Sequence, residues 1–343
     1  MRPLTPRRIF GICSVLFAVL FVAVVISLRM GAYPISVRDI VMTLFRGVLG
    51  RREEIPSEFW LVVFGLRLPR IALGILVGAA LSVAGAGFQA LLRNPLADPY
   101  VLGVSSGAAL GVILSRVFAP HLVGVVQIAA FAGAAATIAA VYFLGRRGGQ
   151  LDSATLLLAG IVAASFLSAI IMFLLTTLSG RDLPGIAFWL MGDLATTPPT
   201  DHVLLWFESL FTLFLIGAGA IYTTSSDLNL ILTGEQEARH LGVNVNRVKL
   251  VVYVAASVLT GLAVSVSGAI GYIGLLVPHA MRMLFGTDYR LLIPASAIGG
   301  AIAIVLADTL ARTVVAPTEL PVGAMTALAG APVFIYLMRR RVR

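Results

Sequence analysis

Apolar runs of roughly 20 residues succeed one another along this chain, and that succession restricts its fold more than any other feature. Bounded by charged, proline or glycine clusters, they fall near residues 9–28, 69–92, 101–117, 122–144, 153–178, 202–223, 248–270, 272–285, 291–312 and 322–338. The expected fold is an all-α polytopic membrane protein with about ten transmembrane helices, forming one transmembrane domain over residues 1–343. Hydrophobic residues are 59% of the 343 and the mean hydropathy is +0.99, which excludes a soluble enzyme. Several runs are rich in Gly and Ala, as in Gly74–Gly87 and Gly299–Ala303. Small residues let helix backbones approach closely, so a tight bundle is expected.

The net charge of +9 does not point to nucleic acid, because the basic residues are scattered between apolar runs and never form one stripe. They act as topology signals. With both termini on the cytoplasmic side, 15 of the 25 Lys and Arg face inward. The other ten are Arg29, Arg38, Arg46, Arg51, Arg52, Arg67, Arg70, Arg116, Arg181 and Arg312, and seven of these lie between Arg29 and Arg70. Topology alone does not account for that cluster. The first run, preceded by MRPLTPRR, is longer than the roughly 7–15 apolar residues of a secretory signal and lacks a small-residue cleavage site, so it reads as an uncleaved span. The single cysteine, Cys13, lies inside it, so no disulfide framework forms within the chain.

An internal repeat appears at an offset of 183. Gly78, Ala80, Ser82, Val83, Gly85, Ala86, Leu92 and Pro95 recur as Gly261, Ala263, Ser265, Val266, Gly268, Ala269, Leu275 and Pro278. The matched runs are the second and the seventh, so the copies cross the membrane in opposite directions. Inverted repeats of this kind mark transporters. The halves cover about 66–200 and 247–338.

Between the second and third runs the chain reads RNPLADPYVLGVSSGAALG. Asn94-Pro95 and Asp98-Pro99 break any helix, because proline lacks an amide donor and restricts the residue before it. The segment is either a tight turn or a loop lining a pathway.

The run RLPRIALGILVGAALSVAGAGFQALLRNPLADPYVLGVSSGAALG resembles the second and third spans of the FecCD-type permeases, the membrane subunits of type II ATP-binding-cassette importers for iron chelates, haem and cobalamin. The resemblance continues through LLLAG (156–160), FWLMGDL (188–194), GEQEARHLG (234–242), SGAIGYIGLLVPHAMRM (267–283), VLADTLAR (305–312) and ELPVGAMTALAGAPVFIYL (319–337). It implies an importer subunit of ten spans that pairs with a second copy of itself around the translocation path. It also implies two ATPase subunits and a periplasmic substrate-binding protein as partners, a metal chelate as cargo, and the inner membrane of a bacterium as location. Neither a bound cofactor nor catalysis is expected of this chain, since ATP would be used by the partner. In keeping with that, the only lysine, Lys249, follows Asn246-Arg247-Val248 and lacks the glycine-rich frame of a phosphate-binding loop.

Gly234, Glu235, Ala238, Arg239, Leu241 and Gly242 match the family's cytoplasmic coupling helix, expected over about 233–243. Thr233 is a candidate cap, Glu235 and Glu237 suit the helix N-terminus, Gly242 suits its end, and Ala238 with Leu241 offers a small apolar face. A solvated loop is the other reading. Arg67, Arg70 and Arg312 match positions that dock the binding protein's carboxylates. Interfacial snorkelling of Arg67 and Arg70, and pairing of Arg312 with Asp308 one turn earlier, are the alternatives. Asn94, Leu96, Ser153 and Ala154 match gate positions. Ala154 departs from the hydroxyl of the cobalamin permease. FWLMGDL lies along the pathway or packs in the bundle, and His279 reads as structural, since no ligand spacing suggests a metal. A rival reading is an ion-gradient-driven secondary transporter, which needs an intramembrane carboxylate; Asp308 is its candidate. No nucleophile–base pair supports an intramembrane enzyme.

Overall fold

The computed structural model describes residues 5–31, 33–119, 122, 124–147, 150–177, 183–195 and 203–341. Arg2, Arg181 and Arg343, counted above for topology, lie outside them. In chain order the helices are α1 (Pro6–Arg29), α2 (Val37–Val48), α3 (Ser57–Trp60), α4 (Leu68–Leu91), α5 (Val104–Phe118), α6 (Val125–Leu144), α7 (Ser153–Thr177), α8 (Leu183–Leu190), α9 (Val203–Thr223), α10 (Ser225–Thr233), α11 (Glu235–His240), α12 (Val245–Ser267), α13 (Ile273–Phe285), α14 (Tyr289–Thr313) and α15 (Val322–Arg341). A π-helical turn over Leu61–Arg67 joins α3 to α4 in one helix of 35 residues. Among the described residues the only strands are two-residue segments, Arg146–Arg147 against Gln150–Leu151.

The ten apolar runs become ten helices. Among the described residues seven are long and apolar enough to cross a membrane, and α5, α13 and the Val322–Ile335 part of α15 are the shorter three. Helices α4, α12 and α14 form the buried centre, whereas α1, α6, α7 and α9 keep broad apolar faces outward. Those outward faces, with side chains such as Phe21, Phe143, Phe166 and Ile216, suit lipid rather than water.

Why the centre packs so closely is legible in its glycines. A Cβ on Gly78 of α4 would strike the Gly300 carbonyl of α14, and one on Gly300 would strike that of Gly78. The repeat partner of Gly78, Gly261 on α12, faces Phe131 and Ala134 of α6 instead. Thus α4 rests on α14 and α12 rests on α6. These pairings exchange under the map of the first half onto the second, as an internal repeat requires.

The two short helices have the same cause in both halves. At 1.5 Å per residue, α5 and α13 rise only about 20–22 Å, less than the roughly 30 Å of a hydrocarbon core. The loops before them make up the difference. Gly103 lies against Gly160 and Ala164, which are roughly 10–16 Å along α7 from Ser153. Tyr272 lies against Gly330, about 12 Å along α15 from Val322. The two loops come from opposite faces and meet inside the bundle: the Tyr100 hydroxyl accepts from the Ile270 amide at 3.1 Å, and Pro99 packs on Gly274. Irregular backbone at this depth survives because protein covers it.

Candidate functional site

Three clusters carry the residues singled out from sequence. The first is the NPLADP loop. The Asn94 carboxamide oxygen accepts from the Leu96 amide at 2.9 Å, and the Asp98 carboxylate accepts from the Tyr100 amide at 2.8 Å. Each side chain closes a short turn where proline has removed a backbone donor. Ser153 reaches this loop from 62 residues away, donating to the Leu91 carbonyl at 3.1 Å. Asn94, Leu96, Ser153 and the exposed Ala154 therefore share one end of α4 and α7, and Leu96 is 40% exposed. Leu96 and Ala154 lie at the surface of the single chain, with Asn94 and Ser153 half-buried beside them. Behind this cluster, Pro278 leaves the Gly274 carbonyl without its helical donor, and the buried Gln89 amide supplies one, 3.5 Å from Gly274 O and 3.1 Å from Leu275 O.

The second cluster is the α10–α11 element. The structure departs from the sequence expectation over its cap: Thr233 is the last residue of α10, its hydroxyl bonded to the Leu230 carbonyl at 2.8 Å. Gly234 occupies the cap position of α11, and the Glu237 carboxylate folds over it. Gly242 does end the helix, at φ +86, with the Gly242 and Val243 amides closing onto the Arg239 and Ala238 carbonyls. The expected apolar face is divided. Ala238 is fully buried in the main core, while Leu241 is 67% exposed beside Gln236, Arg239 and His240.

Three residues missed from sequence fasten this element to the bundle. Lys249 Nζ, on the first turns of α12, pairs with Glu235 Oε1 at 2.7 Å. Asn229 of α10 donates to Asp288 Oδ1 at 2.8 Å and accepts from the Tyr289 amide at 2.9 Å, at the start of α14. The Arg290 hydrogen bond, opposed by partial burial and aided by Asn229, holds the Asp288 carboxyl down at about 2. Pairs so distant in sequence leave no periodic signal; a lone lysine in a greasy chain was the one visible hint.

The third cluster lies at the other face. Asp308 of α14 takes Arg70 Nε at 2.8 Å and Arg312 Nε at 2.9 Å, one on each oxygen. Arg70 also reaches Glu319 at 2.6 Å, and Arg312 reaches the Ser27 hydroxyl at 2.8 Å. Arg67, turned inward at the end of the π segment, donates to the Leu28 and Tyr33 carbonyls, both at 2.5 Å. Arg67 and Arg312 are only 4% and 5% exposed, so all three arginines have partners within this chain. The Arg312–Asp308 pair expected one turn apart is present.

FWLMGDL divides too: Phe188 and Met191 are exposed, while the Asp193 amide is pinned to the Ser267 carbonyl at 2.8 Å. His279 is buried on α13, and among the described residues no three His, Cys, Asp or Glu side chains converge to hold a metal.

Residues 19–340 match the FecCD transport family. The chain is 43% identical over 289 residues to the cobalamin import permease BtuC of Halobacterium salinarum, covering 84% of this chain and 76% of that one. It is 38% identical over 348 residues to the hemin transport permease HmuU of Yersinia pestis, covering 98% and 96%. Its fold superposes with a TM-score of 0.79, at 31% identity and over 96% and 99% of the two chains, on an ABC transporter assigned to the metal-chelate type in an inward-facing conformation. Ten helices in the expected order, an internal repeat and a family match spanning nearly the whole length lead to one conclusion: this chain belongs to the FecCD transport family, the membrane permease subunits of ABC importers.

Proposed function

We propose that two copies of this chain form the path for a metal chelate, fed by an external binding protein and driven by two ATPase subunits bound at α10–α11. The observation that carries this reading is the double fastening of the α10–α11 element, from Glu235 on the exposed α11 to Lys249 of α12 and from Asn229 on α10 to Asp288 at the start of α14. An element that only closed a loop would not need charged ties to two central helices. A motor that pushes on Gln236, Arg239 and Leu241 moves the buried centre of the bundle with it. The proposed gate sits at the surface of one chain, so a second copy completes the path. Chelates such as cobalamin and hemin, cargo of its relatives, set the substrate class. Both termini then face the cytoplasm, with the proposed ATPase site.

At the opposite face, Glu319 is about half exposed and holds Arg70. We assign to it the part of a stand-in that an incoming carboxylate of the binding protein displaces. Glu319→Gln should then tighten capture of the binding protein several-fold, read by surface binding to the reconstituted complex. Unchanged capture would remove Arg70 from the docking set. Charge reversal of Arg70 would be a poorer probe, because it also sets a carboxylate beside Asp308.

The decisive experiment is uptake into proteoliposomes that hold this chain with its ATPase and binding protein. ATP-dependent accumulation of a metal chelate is expected, without dependence on a proton or sodium gradient. Gradient-driven uptake by the chain alone would favour the secondary-transporter reading. That rival is weakened by Asp308, whose two oxygens are already held by two guanidinium groups.

A further inference from the structure

Helix α2 is an amphipathic helix outside the bundle with an uncovered apolar face. Val37, Val41, Met42, Phe45, Val48 and Leu49 are 41–84% exposed and recur at helical spacing, so they form one continuous stripe. Its other side is firmly seated. Ile40 and Thr43 are buried, Ile40 packs with Leu28, Ile35 and Val63, and Gly47 lies directly on the Phe64 ring. The stripe is therefore a fixed feature of the surface, and no described part of this chain covers it.

Its neighbours locate it. On one side α1 ends at Arg29, and its exposed Phe21, Val22 and Val25 face outward as a lipid-contacting span does. On the other, Trp60 opens the next crossing under the Arg52 guanidinium, 5.1 Å from the ring centroid. Tyr33 and Trp60, either side of α2, are residue types that settle at the headgroup level. Tyr33 is tied to Glu58 through its hydroxyl at 3.1 Å, which draws the two crossings together at that level. A 12-residue helix held between two membrane crossings has the bilayer within reach of its free side.

Charge selects the occupant. From residue 29 to residue 60 the chain carries five arginines and four carboxylates, so the rim is nearly neutral. Arg46 and Arg51 both engage Glu54 at 3.6 Å, and Arg52 lies on Trp60. A surface built for an acidic protein would leave several arginines available; this one offers six apolar side chains with Arg38 at their edge. We infer that α2 lies in the membrane interface, its Val37–Leu49 stripe sunk to the boundary of headgroups and acyl chains and Arg38 at phosphate level. It anchors at fixed depth the outer end of α4, where Arg67 and Arg70 stand. Because apolar burial rather than net charge holds it, the contact should be nearly insensitive to salt and to anionic lipid.

The test uses the full chain carrying Cys13→Ser and Phe45→Cys, labelled with an environment-sensitive nitrobenzoxadiazole dye in nanodiscs of phosphatidylcholine with or without phosphatidylglycerol. A Glu53→Cys chain in the same background serves as the water-facing control. Emission at position 45 should be blue-shifted, shielded from iodide and largely quenched by doxyl-labelled lipid, to the same degree in both lipid mixtures and at high salt. Position 53 should show the reverse. Iodide access at 45 equal to that at 53 would overturn the inference. So would protection that appears only when the binding protein is added, or only as protein concentration rises, which would give the face to that protein or to a second copy. A Val41→Cys chain repeats the measurement should the label at 45 disturb folding.

Discussion

Replacing Asp308 by asparagine should destabilise the folded permease by about 3–5 kcal/mol, the cost of breaking a buried ion pair from one side. The carboxylate is 3% exposed and joins Arg70 on α4 to Arg312 on α14. Without it Arg312 keeps the Ser27 hydroxyl, and its charge stays buried. The same reasoning predicts rescue. Asp308→Leu combined with Arg312→Met removes both charges and leaves Arg70 with Glu319, so most of the loss should be regained. Thermal unfolding in one detergent compares the three proteins. A single variant within about 1 kcal/mol of the parent would show that the network does not hold α4 to α14.

Glu235→Gln should separate ATP use from transport. The pair it breaks is the direct charged tie between the exposed α11 and α12, and it strands Lys249, whose side chain is 9% exposed. Coupling between sites in proteins is commonly about 1–3 kcal/mol, and losing it lowers the linked response roughly 5- to 150-fold. Chelate moved per ATP hydrolysed should therefore drop about tenfold or more while hydrolysis continues. The exchanged pair Glu235→Lys with Lys249→Glu should restore part of the transport, because opposite charges again face each other. Transport per ATP unchanged in Glu235→Gln would take the tie out of the transmission path. Arg239→Ala tests the exposed side of α11, where weakened ATPase binding is expected instead.

The apolar runs and the structure agree closely over where the crossings lie, since a span needs enough apolar length and its ends are marked by charge or glycine. Of the two glycines matched in the repeat, Gly78 lies against the Gly300 backbone of α14 and Gly261 faces Phe131 and Ala134 of α6. The short third and eighth runs were also visible as short, though not the reason. Only the fold shows that residues 92–103 and 268–272 enter the bundle from opposite faces and meet through Tyr100 and Ile270. Charge and glycines marked the segment that forms the exposed helix Glu235–His240, but not its cap. Thr233 has the right chemistry for a cap, yet the turn at Gly234 left its hydroxyl bonded backwards to Leu230.

Single-chain sequence determined what each segment must be: a span, a break, or a wet charged connection. Those properties depend on local length, hydropathy and backbone chemistry, all of which are written contiguously. Tertiary structure alone decided which charged groups are spent. Arg70 and Asp308 are 238 residues apart, and Ser27 and Arg312 are 285 apart. Whether an arginine waits for a partner protein or is held by its own chain depends on such encounters, and no local pattern encodes them. The half-buried Glu235–Lys249 tie and the uncovered stripe on α2 are of the same kind, set by what the fold brings beside a residue or leaves bare.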